Sequence, residues 1–346
     1  MNLTKRRLFL SSAGALALPL TALHAQPARQ NLRFAVDWVL QVNHAWAVLA
    51  ARRGYFNEAG INATVEGGVG SGQTIQQVAS GAIQLGFADV PTAIQFALRN
   101  PQVGLRVVAV IFDGSPLVLT VDANGPVRTP KDIEGQRIAA PEADAGRQMF
   151  PAFARAVGVD ITRVEWVNVT GQLREAMLVR GEAQGITGFI TSTIMGLEAI
   201  GLPAARQRHF RYREAGLPFF SGGLITTQRF AGENPALLRG AVGALMRGVQ
   251  HMARDPNDAI AAVREQEPLT DPAAERRRWE VVRDEMLVTE NVRANGISSV
   301  DPDRMQRNID IVRETFGITQ PFSTADIWDG SFLPARDQLR LPATAG

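Results

Sequence analysis

The chain has 346 residues, 45% hydrophobic and 20% charged, with 32 Gly, 19 Pro and no Cys. That length supports a large core and two or three structural units, and the composition excludes disorder, collagen and coiled coil. The formal net charge is +2, and the absence of Cys excludes a disulfide framework, thiolate metal sites and a cysteine nucleophile.

The first segment reads as an export signal over residues 1–25. Lys5, Arg6 and Arg7 precede an apolar run, and Ala25 is the small residue at its end. A membrane anchor fits less well, because Ser11, Ser12, Gly14, Pro19 and Thr21 interrupt the run. Arg6-Arg7-Leu8-Phe9-Leu10 is similar to the twin-arginine pattern, with departures at Lys5 and Ser11, so the export route stays open. No Cys follows to carry a lipid. Cleavage leaves 33 basic and 34 acidic residues, a net charge of −1. The basic character thus belongs to the signal, and nucleic acid is not an expected partner. The expectation is a soluble periplasmic protein, a monomer.

Strand and helix patterns then alternate. Residues 32–39 read as a strand, 44–53 as a helix closed by Gly54, and 61–66 as a strand. A helix over 74–80 ends at Gly81; a strand over 83–88, a helix over 91–98 and a strand over 105–111 follow. This order predicts a parallel sheet with helices on its faces. A second set runs through strands at 116–121, 136–140, 164–169 and 185–189. Its helices are 146–156, 173–180 and 192–200. After a strand at 222–227 only long helices remain. Leu238, Val242, Leu245 and Val249 mark one apolar face, and Met305, Ile309, Val312 and Phe316 another. The reading is two α/β domains. Residues 31–115 and 223–346 form the first, 116–222 the second, and two crossings form a hinge around a ligand cleft.

Ligands of open α/β sheets sit beyond the carboxyl ends of the strands, where helix N-termini offer unpaired N–H groups. Four loops hold such positions. The first carries Asp37, Trp38, Asn43 and His44. The second carries Gly70-Ser71-Gly72, the third Asp89, and the fourth Asp144 and Arg147. Gly70 and Gly72 permit close backbone approach, and Ser71 adds a hydroxyl. No Lys-Ser/Thr follows, so this is not a nucleotide loop. Trp38 offers a stacking face or a core aromatic. Arg147 offers a bidentate partner for a carboxylate or sulfonate, or an ordinary surface charge. Asp37 serves a ligand amine or its own loop, and Asp89 reads mainly as a helix cap. No catalytic motif or metal-ligand spacing stands out, so no metal or cofactor is expected. A hydrolase with Asp37, His44 and Ser71 is the one enzymatic arrangement these loops allow.

Asp37-Trp38…Asn43-His44, Gly54-Tyr55-Phe56…Gly60-Ile61, Gly70-Ser71-Gly72, Val78-Ala79-Ser80-Gly81 and Gly86-Phe87-Ala88-Asp89 occur in that order. Pro130-Lys131-Asp132…Gly135 and Gly185-Ile186-Thr187-Gly188-Phe189 follow them. Together they resemble the periplasmic solute-binding proteins of the NMT1/THI5-like and SsuA-like group. These are receptors of ABC importers for nitrate, taurine, alkanesulfonates and pyrimidine thiamine precursors. The resemblance implies the type II periplasmic binding-protein fold, a membrane permease as partner, and Thr187 and Phe189 as further ligand contacts. The group's enzyme branch is associated with a Cys-rich iron motif and a cofactor-bearing Lys. This chain has no Cys, and Lys131 alone remains after cleavage. The expected function is capture of a small organic anion by domain closure, with a pyrimidine-type heterocycle as the alternative.

Overall fold

The computed structural model describes residues 29–342; the predicted export signal lies outside them. Ten strands run in chain order. They are β1 (Gln30–Ala35), β2 (Ile61–Glu66), β3 (Leu85–Asp89), β4 (Leu105–Val110) and β5 (Leu117–Asp122). Then come β6 (Arg137–Ala140), β7 (Glu165–Asn168), β8 (Gly185–Phe189), β9 (Gln207–Arg211) and β10 (Gly222–Thr227). They form two five-stranded sheets, ordered β2-β1-β3-β10-β4 and β7-β6-β8-β5-β9. This is a two-sheet α/β architecture.

Neither sheet is wholly parallel, which departs from the expectation set by strand and helix alternation. β1 is parallel to β2 and β3, while β10 is antiparallel to β3 and β4. β5 is likewise antiparallel to β8 and β9. The reason lies in the connections. β5 and β10 are entered from the other sheet unit, so no crossover helix returns them to the starting edge.

The apolar stripes behave as spacing dictates. Leu238, Val242, Leu245 and Val249 are buried on the helix Pro235–Arg254, which packs against Ala45–Arg52. Met305, Ile309 and Val312 are buried on Pro302–Thr315, while Phe316 is half-buried and carries Arg99 above its ring. Phe34, Trp46, Phe87 and Phe112 form an edge-to-face aromatic chain through the first core, with centroids 5.2–6.0 Å apart.

The sheet units are joined through residues 111–116 and 217–221. Ser221 N donates to Phe112 O at 3.1 Å, so the two crossings hold each other. Arg304 grips both: it donates to Asp113 Oδ1 (2.8 Å), Asp113 O (2.7 Å), Phe219 O (2.9 Å) and Pro218 O (2.9 Å). A π-helical turn, Arg283–Leu287, supplies Met286 O to the N–H groups of Asp113 and Gly114.

Candidate functional site

Both sheets direct strand ends and helix N-termini toward one cleft. Its cavity, about 170 Å³, is lined by Trp38, Gln41 and Val69 on one side and by Arg174, Glu175 and Ser192 on the other, among others. An apolar cavity of about 150 Å³ accepts benzene, so this one suits a single ring or a solute of that size. A pocket of about 20 Å³ lies beside it, sharing Trp38, Arg174 and Ser192 and adding Asp37, Ser71, Asp144 and Phe189. That volume holds about one water molecule.

The first wall rests on a buried polar base. Ser71 Oγ donates to Asp37 Oδ2 at 2.6 Å and accepts from Asp89 N at 3.0 Å. Gly70 N donates to Asp37 O at 2.7 Å. His44 Nδ1 lies 3.2 Å from Val39 O and Nε2 lies 3.0 Å from Asn43 Nδ2. Those partners assign the proton to Nδ1, with Nε2 accepting from the Asn43 amide. Asp37 Oδ1 lies 3.3 Å from His44 Nε2 without hydrogen-bond geometry. Asp89 caps the helix Val90–Arg99, its Oδ2 accepting from Thr92 N (3.0 Å) and Thr92 Oγ1 (2.7 Å). Full burial pushes its carboxyl up to about 7 against those bonds.

Asp144 caps the helix Ala145–Val157 on the opposite wall. Its Oδ1 accepts from Arg147 N (2.9 Å) and Thr187 Oγ1 (3.0 Å). Burial raises its pKa, and Arg174 opposes that rise. Arg174 is 1% exposed. It donates to Thr187 O at 3.0 Å and to Glu175 Oε1 at 2.5 Å, and lies 3.4 Å from Asp144 Oδ2. Burial disfavours its charge, but Glu175 and Asp144 outweigh burial and hold its pKa above the usual arginine value. Its guanidinium carbon stands 5.2 Å from the Trp38 ring centroid.

The structure thus brings Asp37, Trp38, Gly70, Ser71, Asp144 and Phe189 to the cavities, with Asn43, His44, Asp89 and Thr187 supporting them. Arg147 goes elsewhere. Its guanidinium donates to Ala140 O and Asn168 Oδ1 and stacks on Trp166 at 4.9 Å, outside the residues lining either cavity. Gly72 meets the opposite wall, its N–H donating to Ala143 O at 3.1 Å. Sequence reasoning missed Gln41, Arg174, Glu175 and Ser192. A signal for Arg174 was present, because the helix Gly171–Val179 starts just beyond β7 and its N-terminus faces the cleft.

The walls touch across the cleft. Ser192 Oγ donates to Gln41 Oε1 at 3.0 Å. Trp38 lies against Gly171, where a Cβ would come within 2.7 Å of the indole. Two carboxyl groups, Asp144 and Glu175, flank the buried Arg174 guanidinium. Among the described residues no group of three or more His, Asp or Glu is arranged to hold a metal ion.

The sequence profile of NMT1/THI5-like proteins matches residues 41–259. A formylaminopyrimidine-binding protein of Halalkalibacterium halodurans is 23% identical over 235 residues, 67% of this chain and 69% of that protein. A riboflavin-binding protein of Chloroflexus aurantiacus is 19% identical over 241 residues, 69% and 67% of the two chains. Among solved structures, the alkanesulfonate-binding protein SsuA of Xanthomonas axonopodis, bound to MOPS, superposes with a TM-score of 0.69 at 16% identity. That match covers 88% of this chain and 99% of SsuA. The nitrate-binding protein NrtA of Synechocystis gives 0.65 at 12% identity, covering 92% of each chain. These superpositions carry the shared fold.

Proposed function

The chain belongs to the NMT1/THI5-like family, and from that footing we propose that it is the solute-binding component of an ABC importer. It captures a small organic solute between two lobes and presents the closed form to a membrane permease. The observation that carries this reading is a small cavity whose walls come from both sheet units and bond to each other. We assign residues 31–115 with 223–346 to one lobe and 116–222 to the other, with residues 1–25 as a cleavable signal for the periplasm. Closure follows from differential affinity, because a solute touching both walls favours the form in which both are present.

A binding role, not a catalytic one, is supported by how the candidate triad is wired. The Ser71 hydroxyl donates to Asp37, and His44 is engaged by Asn43 and Val39 O. A serine nucleophile needs its base within hydrogen-bond reach. Here His44 serves the loop.

For an organic anion, Arg174 supplies the charge, exchanging Glu175 for the solute. One observation favours the heterocycle as a second reading. Arg174 is already paired with two carboxylates, whereas Trp38 offers a ring face, with Gln41 beside it and Glu175 and Ser192 on the facing wall of the cavity for edge contacts. Titration calorimetry with an alkanesulfonate and an aminopyrimidine separates the two. An anion site loses binding in Arg174→Met, tolerates Trp38→Ala and weakens as salt rises. A heterocycle site loses binding in Trp38→Ala, tolerates Arg174→Met and is insensitive to salt. If neither class binds, both ligand readings are wrong.

A further inference from the structure

The helix Pro272–Val282 lies behind the cavity and touches both lobes. Its Glu275 and Arg278 are 2% and 5% exposed and form an ion pair, Arg278 Nε to Glu275 Oε1 at 3.0 Å. Glu275 Oε2 accepts from Val42 N at 2.6 Å, at the start of the turn Val42–His44. Arg278 Nη1 donates to Thr191 O on the opposite lobe. Val42 and Thr191 adjoin Gln41 and Ser192, the two cavity residues bonded across the cleft. The links therefore close a ring: Gln41 to Ser192 directly, and Val42 to Thr191 through Glu275 and Arg278. Arg277 adds an ion pair to Glu198 of the same opposite helix at 2.9 Å.

We propose that the Glu275–Arg278 pair is a positioning element that sets the Gln41 loop and fastens the second lobe only when the lobes are closed. Neither side chain lines the cavity. The Glu275–Val42 bond lies within one lobe and persists on opening. The Arg278–Thr191 bond crosses between lobes and is lost. Burial lowers the pKa of Arg278, so its charge is retained at a cost that Glu275 offsets. The purpose assigned to the pair rests on the solute-receptor reading; its test does not.

The chain has no Cys, so a reporter pair is unambiguous. A Cβ at Gly72 would lie 3.6 Å from the Cβ of Ala143 on the facing wall. That separation suits a disulfide, so Gly72→Cys with Ala143→Cys crosslinks only when the lobes close. The rate under a fixed oxidant reads the closed fraction without any solute. Arg278→Lys keeps a charge for Glu275 but not the planar fork that reaches Glu275 and Thr191 O together, so crosslinking should slow roughly fivefold or more with little loss of Tm. Glu275→Met with Arg278→Met removes both charges together but leaves Val42 N–H without its acceptor; Tm should fall only modestly while crosslinking stays slow. Wild-type crosslinking rates in either variant would overturn the proposal, leaving the pair a structural one. A failure of the receptor reading appears separately, as a wild-type protein that crosslinks normally yet binds no solute.

Discussion

Gly70→Ala isolates closure from fold. Gly70 has φ +142, and a Cβ there would stand 2.5 Å from Ala143 O and 2.7 Å from its carbonyl carbon on the opposite wall. Ordinary heavy-atom contact needs about 3.5 Å, so the walls must part by roughly 1 Å at that point. The neighbouring Gly72 N–Ala143 O bond, 3.1 Å, is then lost. Backbone strain of about 1–3 kcal/mol burdens open and closed forms alike. The clash and the lost bond, together on the order of 1.5–2 kcal/mol, burden the closed form alone. Affinity for the solute recovered from wild-type protein should therefore fall about tenfold to thirtyfold by titration calorimetry. Gly72→Ala is the control. Its Cβ would lie 3.3 Å from the same oxygen, which a shift of a few tenths of an ångström relieves. It should cost less than about threefold. Equal effects at the two positions, or wild-type affinity in Gly70→Ala, would mean that the walls do not meet at Gly70 in the solute-bound form.

Arg174→Met leaves Glu175 and Asp144 buried without their cation, so stability should fall by about 3–5 kcal/mol in urea unfolding. Arg147→Ala removes half-buried hydrogen bonds and a stacking contact outside the cavity; it should cost about 1–2 kcal/mol and leave affinity within about threefold. Stability should also respond to pH through Asp89. Its carboxyl is raised from 3.8 to about 7, so the folded state holds a proton that the unfolded chain releases. Its contribution to stability therefore decreases as pH rises through that window and levels above it; Asp89→Asn should remove that slope. His209, lowered from 6.5 to about 4 by burial and then by Arg211, acts in the opposite sense. Its contribution decreases as pH falls from about 6.5 towards 4, and His209→Gln should flatten that part of the profile.

Local signals placed most elements within a residue or two. The strand expected at 222–227 is β10, and the helix expected at 146–156 runs Ala145–Val157. Period and punctuation suffice there, because Gly158 and the Asp144 cap are written in the chain. The direction of β5 and β10 was not legible, since it depends on which unit the chain arrives from. The site divides along the same line. Trp38, Ser71 and Asp144 lie on strand-end loops and were found by that rule. Arg174 is one arginine in a helix, and only the fold shows that Trp38 from the other lobe closes over it. Arg147 illustrates the converse. Its position at a helix start is right, but its side chain turns to Trp166 and Asn168 on its own sheet.

Solute capture by closure around the Trp38–Arg174 cavity depends on that pair of side chains. Native mass spectrometry of wild-type protein, beside the Trp38→Ala/Arg174→Met double variant, tests it most directly. Wild-type protein should carry one small-molecule adduct per chain, and the folded double variant none. A solute retained equally by both proteins would place binding elsewhere and contradict it.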